Sequence, residues 1–250
     1  MTTAYRPGFL REFLRAPLTV AAIAPSSASL AAAVTSPIPM EGSPTVLELG
    51  PGTGSFTVAI QRRLAGRGHH LAIEINERFA DALATEFPQV TVATGDAREL
   101  KAIMRANGRH EADVIISGLP WAAFTPDRQD SLLDAVVDGL TTSGVFTTFA
   151  YTSTQWTPPA RRLRQSLSDR FEEVLPCRTV WANLPPAFIY FCRRPRSHRP
   201  ARREPVTAIP TPGFDDHYAA GVFRRFRTAS RLGAVPNMRR YSRLNCEGLS

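Results

Sequence analysis

The sequence predicts an α/β protein built on an open, mostly parallel sheet of about seven strands, with helices on both faces. Three observations predict it. Between residues 44 and 151, short segments rich in Val, Ile and Leu alternate with segments patterned at helical spacing. That alternation implies parallel strands joined by helical crossovers. The first apolar segment runs directly into a turn of three glycines, Gly50-Pro51-Gly52-Thr53-Gly54. Such a turn lets backbone approach a ligand at the carboxyl end of a strand. Two further β-rich segments follow the alternating region and can pair antiparallel at the sheet edge.

Taken in order, Phe9, Leu10, Phe13 and Leu14 recur at helical spacing, with Arg6, Arg11 and Arg15 around them. Ala24-Pro-Ser-Ser27 breaks that pattern, and Ser26 or Ser27 can cap a new helix over Ala28–Val34. Strands are expected at Thr45–Leu49, Leu71–Ile75, Val90–Thr94, Ala112–Ser117 and Gly144–Tyr151. Helices are expected near 55–66, 77–86, 97–107 and 127–140. A further helix near 159–169 leads to strands Glu172–Trp181 and Ala187–Cys192, separated by the turn-rich Asn183-Leu-Pro-Pro186. Pro195–Pro212 reads as an extended, proline-rich linker. Beyond it Tyr218, Val222, Phe226 and Ala229 form a helical stripe among arginines, with Asp215 or Asp216 able to cap its start. The chain thus divides into a leading helical segment and lid over 1–40, a sheet domain over 41–194 and a basic extension over 195–250.

The charge is unevenly placed. The net charge is +8, yet residues 193–250 hold 13 arginines against four acids, while the rest of the chain has 17 basic and 18 acidic residues. A near-neutral body joined to a basic tail suits an anionic partner, either nucleic acid or an acidic lipid surface, and equally a solvated tail. Cys177, Cys192 and Cys246 are odd in number and lack metal or C-x-x-C spacing, which fits two buried thiols and a tail thiol in a reducing compartment. No secretory leader is evident and no apolar run nears the ~20 residues of a membrane span. The expectation is a cytoplasmic protein, with peripheral attachment to a membrane left open. No metal-ligating constellation or Ser/His/Asp arrangement stands out among the histidines.

The chemistry is read from strand ends. Glu48 is an acid two residues before the first glycine, in an otherwise apolar strand. A carboxylate there repels phosphate and suits a ligand carrying an ammonium group. The glycines follow G-x-G-x-G rather than G-x-G-x-x-G, and a Walker Gly-Lys-Ser/Thr is missing. These features point to S-adenosylmethionine (SAM). Glu74 closes the second strand 20 residues beyond Gly54 and can accept both ribose hydroxyls, with Ile75 lying against the adenine face. Asp96, after the third strand, can accept from the adenine amino group while the next backbone N–H, at Ala97, meets a ring nitrogen. Taken alone, an Asp in that position is as well explained as a helix cap. The fourth strand ends Ser117-Gly118-Leu119-Pro120-Trp121. Pro120 stiffens this turn and Trp121 offers either an aromatic face to a cation or a packing residue for the core. Backbone carbonyls of Ser117 or Gly118 can hold an acceptor amine there, so catalysis would rest on positioning and desolvation.

These residues resemble those of class I SAM-dependent methyltransferases, which have a Rossmann-like sheet, and most closely the bacterial PmtA-type phospholipid N-methyltransferases. The segment Phe9–Arg15 followed by Ala24-Pro-Ser-Ser27 resembles the leading helix and Pro-Ser-Ser turn of that family. Ser117-Gly-Leu-Pro120 resembles its Ser-x-Leu-Pro motif, and Asn183-Leu-Pro-Pro-Ala187 its Asn-x-Pro-Pro-Ala turn. The resemblance covers about residues 8–194. It implies transfer of a methyl group from SAM to the amine of a phosphatidylethanolamine-type lipid. It also implies contact of Phe9, Arg11, Phe13 and Arg15, with Ser26 and Ser27 behind them, with substrate or an anionic membrane. The stripe over 218–231 could add a second basic amphipathic contact. Trp121 stands where the family is expected to carry an aliphatic residue, and the tail falls outside the resemblance. Two other acceptors stay open: a small biosynthetic intermediate, and RNA adenine, since the related rRNA adenine dimethylases carry Asn-Leu-Pro-Tyr/Phe at strand four. Ser117-Gly-Leu-Pro-Trp121 lacks that Asn, so nucleic acid ranks third.

Overall fold

The structure is a computed structural model that describes residues 26–196. The expectations placed on Phe9, Arg11, Phe13, Arg15, Cys246 and the 218–231 stripe lie outside the described residues.

Seven strands form one sheet: β1 (Thr45–Leu49), β2 (His69–Glu74), β3 (Thr91–Thr94), β4 (Ala112–Ser117), β5 (Leu140–Tyr151), β6 (Phe171–Pro176) and β7 (Ala187–Pro195). Their order is β3-β2-β1-β4-β5-β7-β6. The first five are parallel, and β7 runs antiparallel between β5 and β6. The expected antiparallel pair forms, but β7 sits inside the sheet and β6 takes the edge. The sixth strand is also shorter than the sequence predicts. It stops at Pro176, after which the Cys177 amide still donates to the Ile189 carbonyl at 2.8 Å and Val180 keeps an isolated bridge to Ala187.

Strand alternation sorts the helices. Leu47, Leu49 and Ile115 face one way, into a core filled by α4 (Leu100–Ala106), α5 (Pro126–Gly139) and α6 (Pro158–Arg170). Val46, Val114 and Ile116 face the other way, under α1 (Ala28–Val34) and α2 (Ser55–Leu64), while Ala72 meets α3 (Glu77–Glu86) through Leu83. Each helix shows local reasons for its start. The Ser27 hydroxyl accepts from the Leu30 amide at 3.1 Å, Asn76 caps α3 through the Arg78 and Phe79 amides, and prolines open α5 and α6. The buried Arg170 bonds Asp134 at 2.7 Å and Asp130 at 3.2 Å, clamping α6 to α5. Thr147 donates its hydroxyl to the Val34 carbonyl at 3.1 Å, fixing α1 on the sheet. Cys192 is buried, which pushes its thiol pKa well up. Cys177 is half-buried rather than fully enclosed as the sequence suggested. Among the described residues no helix is long and apolar enough to cross a membrane.

Candidate active site at the carboxyl edge of the sheet

Chain order reverses between β1 and β4, where helices leave to opposite faces. That is where an open α/β sheet splits to form a ligand crevice. Three glycines just beyond strand ends extend the ladder and shape it. The Gly50 amide donates to the Ile73 carbonyl, Gly95 to Glu74, and Gly118 to Leu49, each at 2.9 Å. The resulting cleft is lined by Gly50, Ile73, Glu74, Ile75, Gly95, Asp96, Ala97, Leu119, Phe124, Arg128 and Leu132.

Gly52 has φ +52°, and a Cβ built there would meet nothing within 4 Å. Its need for glycine is therefore the left-handed backbone and the open space above it, which leaves room for the close approach of a ligand. Crowding does explain Gly118, where a Cβ would fall 2.7 Å from the Gly50 carbonyl oxygen. Pro51 is buried and its carbonyl accepts from Gly54 at 2.9 Å, closing the turn. The Thr53 hydroxyl lies 3.4 Å from that of Ser55 at the start of α2.

The two acids of the first two strands have different fates. Glu74 lines the cleft, its carboxylate accepting from the Gly52 amide at 3.1 Å and the Asn76 amide at 2.9 Å. It therefore ties the glycine turn to the end of β2. Glu48 does not reach the cleft. It is fully buried under α2, where Oε2 accepts from the Thr57 hydroxyl at 2.8 Å and pairs with His70 Nε2 at 3.1 Å. Strand parity explains this, because Glu48 shares the face of Val46.

Asp96 caps the 3-10 turn Ala97–Glu99 through the Arg98 amide, and its other oxygen takes Arg98 Nε and Nη2 at 3.1 and 2.8 Å. Hydrogen bonding to Arg98 holds its carboxyl below the usual range against the opposing effect of burial, and Arg128 adds a smaller pull. Ile75 is 62% exposed beside the cleft.

The turn after β4 departs most from expectation. Trp121 is 2% exposed, edge-on to Phe124 and Phe146 in the core. Its ring offers no face to a cation, because the 3-10 turn after Pro120 folds it inward. Its indole N–H donates to Ser117 Oγ at 3.1 Å, and that hydroxyl also accepts from the Leu119 amide at 3.2 Å. Ser117 is fully buried and its carbonyl already accepts from Thr148 at 3.3 Å, so it braces the turn. Gly118, Leu119 and Pro120 remain partly exposed. Phe124, Arg128 and Leu132 were missed in the sequence. Arg128 lies 4.8 Å over the Phe124 ring, and the Thr125-Pro126 helix start that aims them was the available signal.

A methyltransferase-domain family matches residues 46–144. Ornithine lipid N-methyltransferase of Singulisphaera acidiphila is 34% identical over 188 residues, covering 74% of this chain and 94% of that one. The chain belongs to the class I SAM-dependent methyltransferases. Solved structures agree on the fold. The CurJ carbon methyltransferase has a TM-score of 0.51 at 18% identity, over 63% of this methyltransferase and 50% of that chain. Spermidine synthase from Thermotoga maritima has a TM-score of 0.51 at 15% identity, over 67% and 58%. SAM is the cofactor of this methyltransferase. The cleft suits it: open space stands over Gly52, and two carboxylates, Glu74 and Asp96, line it and can accept from hydroxyl and amino donors.

Proposed function

We propose that this methyltransferase N-methylates the primary amine in the headgroup of a membrane aminolipid. Similarity over nearly the whole length of an ornithine lipid N-methyltransferase carries this reading. Phosphatidylethanolamine presents the same primary amine and is the second lipid to test. The β4 turn is compatible with either, since Trp121 faces the core and puts no aromatic wall against a headgroup.

SAM supplies an electrophilic methyl group on a sulfonium, taken up by a lone pair in line with the breaking bond. The chain's own work is positioning. The Gly50–Gly54 turn, with Pro51 and Thr53, receives the methionine end. Glu74 accepts the ribose hydroxyls with its remaining lone pairs. Asp96 and the Ala97 amide read the adenine edge, and Ile75 and Phe124 flank its ring. The Gly118 carbonyl and Leu119-Pro120 hold the acceptor amine in its neutral form, excluding water. Ser117 braces this turn, and Glu48 acts from beneath through Thr57, at the start of α2. In this reading lipid contact falls to Phe9, Arg11, Phe13 and Arg15 with Ser26 and Ser27, and to residues 218–231.

The test is methyl transfer from labelled SAM to vesicles of anionic lipid containing ornithine lipid or phosphatidylethanolamine, followed by mass analysis. A gain of methyl mass on one headgroup supports the reading and picks the lipid. Bound SAM with neither lipid modified refutes it and moves the acceptor to a soluble amine.

A further inference from the structure

The carboxyl edge of the sheet continues past the cleft along β5 and β7. Two turns meet there, residues 152–157 after β5 and 177–186 before β7. Tyr151 pairs with Ala187, and the Thr152 amide and hydroxyl both donate to the Pro186 carbonyl, at 2.9 and 3.1 Å. The second turn is braced from within. Asn183 is 4% exposed, its side-chain Nδ2 donating to the Pro185 carbonyl at 2.8 Å and its Oδ1 accepting from the Ser27 amide at 2.9 Å.

On these held turns, large apolar side chains face solvent. Trp156 is 77%, Trp181 78% and Leu184 81% exposed, a condition that core packing does not explain. Neither turn contains an Asp or Glu, and the exposed Arg178 and Arg161 lie within or just beyond them. Rings on turns, rather than along a groove, suit a layer that is apolar on one side and wet on the other, and the arginines suit an anionic one. A braced turn also loses little conformational freedom on insertion.

We propose that the two turns form an interfacial anchor. Trp156, Trp181 and Leu184 enter the headgroup layer of an anionic bilayer while Arg161 and Arg178 meet lipid phosphates. The same contact would bring the edge bearing the cleft to the surface where an aminolipid is displayed, and in that respect it rests on the lipid reading above.

The test uses the full-length chain with vesicles of equal parts phosphatidylcholine and phosphatidylglycerol, with and without bromine on the acyl chains near the headgroup. The chain has three tryptophans, of which Trp121 is buried and serves as an unquenched background. Quenching of the bound protein is expected, and its loss in Trp156→Phe/Trp181→Phe. Vesicle binding should fall at least about tenfold in a Trp156→Ser/Trp181→Ser/Leu184→Ser variant with unchanged melting temperature. Absence of binding, binding without quenching, or undiminished binding by the folded triple variant overturns the anchor. Methylation of aminolipid in detergent micelles is scored separately. Methylation there without quenching on vesicles sinks the anchor and spares the lipid function; quenching with no aminolipid methylated in either format does the reverse.

Discussion

At the carboxyl ends of β1, β3 and β4 the chain places glycines, and Glu74 at the end of β2 lines the cleft with Asp96. At the end of β5 and the start of β7, along the same edge, it places Trp156, Trp181 and Leu184 in solvent, with arginines and no acid in either turn. One half lines a cleft with hydrogen-bond acceptors and bare backbone. The other presents rings and cations outward from turns held by buried polar bonds. Fold alone does not dictate the second half, because a sheet edge is stable without exposed tryptophans. Its composition therefore carries information about what the edge meets.

The largest expected effect separates buried from displayed rings. Trp121→Ala should cost about 4 kcal/mol of stability by cavity formation, while Trp156→Ala should stay within about 0.5 kcal/mol; denaturant titration reads both. Equal losses would erase the contrast. Next, Glu74→Ala should weaken SAM binding about a hundredfold, since charged acceptors to two hydroxyls are lost together with the brace on the Gly52 amide. Calorimetry showing near-unchanged affinity would remove Glu74 from the cofactor half. Gly52→Val should cost about 1–2 kcal/mol from its left-handed backbone and abolish SAM binding by filling the space above the turn. A folded variant with normal affinity would show that the ligand does not use that space.

The smallest effect concerns pH. Arg98 lowers the folded Asp96 pKa, so the stability from this carboxylate is full above its unfolded value of about 3.9 and fades as pH falls through the lower folded value. Arg98→Ala should raise the Asp96 pKa and remove that acid-limb dependence, as followed by carboxyl NMR and melting curves. An unmoved pKa would mean that Arg98 is not its main partner.

Much of this was legible in sequence. The alternation of apolar runs and helical patterns placed all seven strands, and Thr45–Leu49 and Ala112–Ser117 match residue for residue. Strand-end acids are readable because a short buried strand leaves few positions where a carboxylate is tolerated. Which face each acid takes is set by parity. Glu48 counts with Val46 toward α2, so its burial could have been found by counting from the apolar residues around it. Trp121 was harder. After Pro120 the chain either continues outward or turns back, and only the core vacancy beside Phe146 and the Ser117 hydroxyl decide it. For Phe124, Arg128 and Leu132 the Thr125-Pro126 signal marks where α5 begins, but which way its first turn faces is set by packing. The inserted position of β7 is likewise a tertiary fact, since an adjacent antiparallel pair satisfies the local signals in either order.

That insertion has a consequence for how the chain is made. Among the described residues β7 is the last strand synthesised, yet it is bonded on both sides, to β5 and to β6. Until Ala187–Pro195 leaves the ribosome, β5 has an open edge and β6 has no partner in the sheet, so two unpaired edges coexist on the nascent chain. A ribosome stalled or a message truncated before this strand would release a protein whose cofactor half can already be formed, but whose other half is poised to pair with a neighbour.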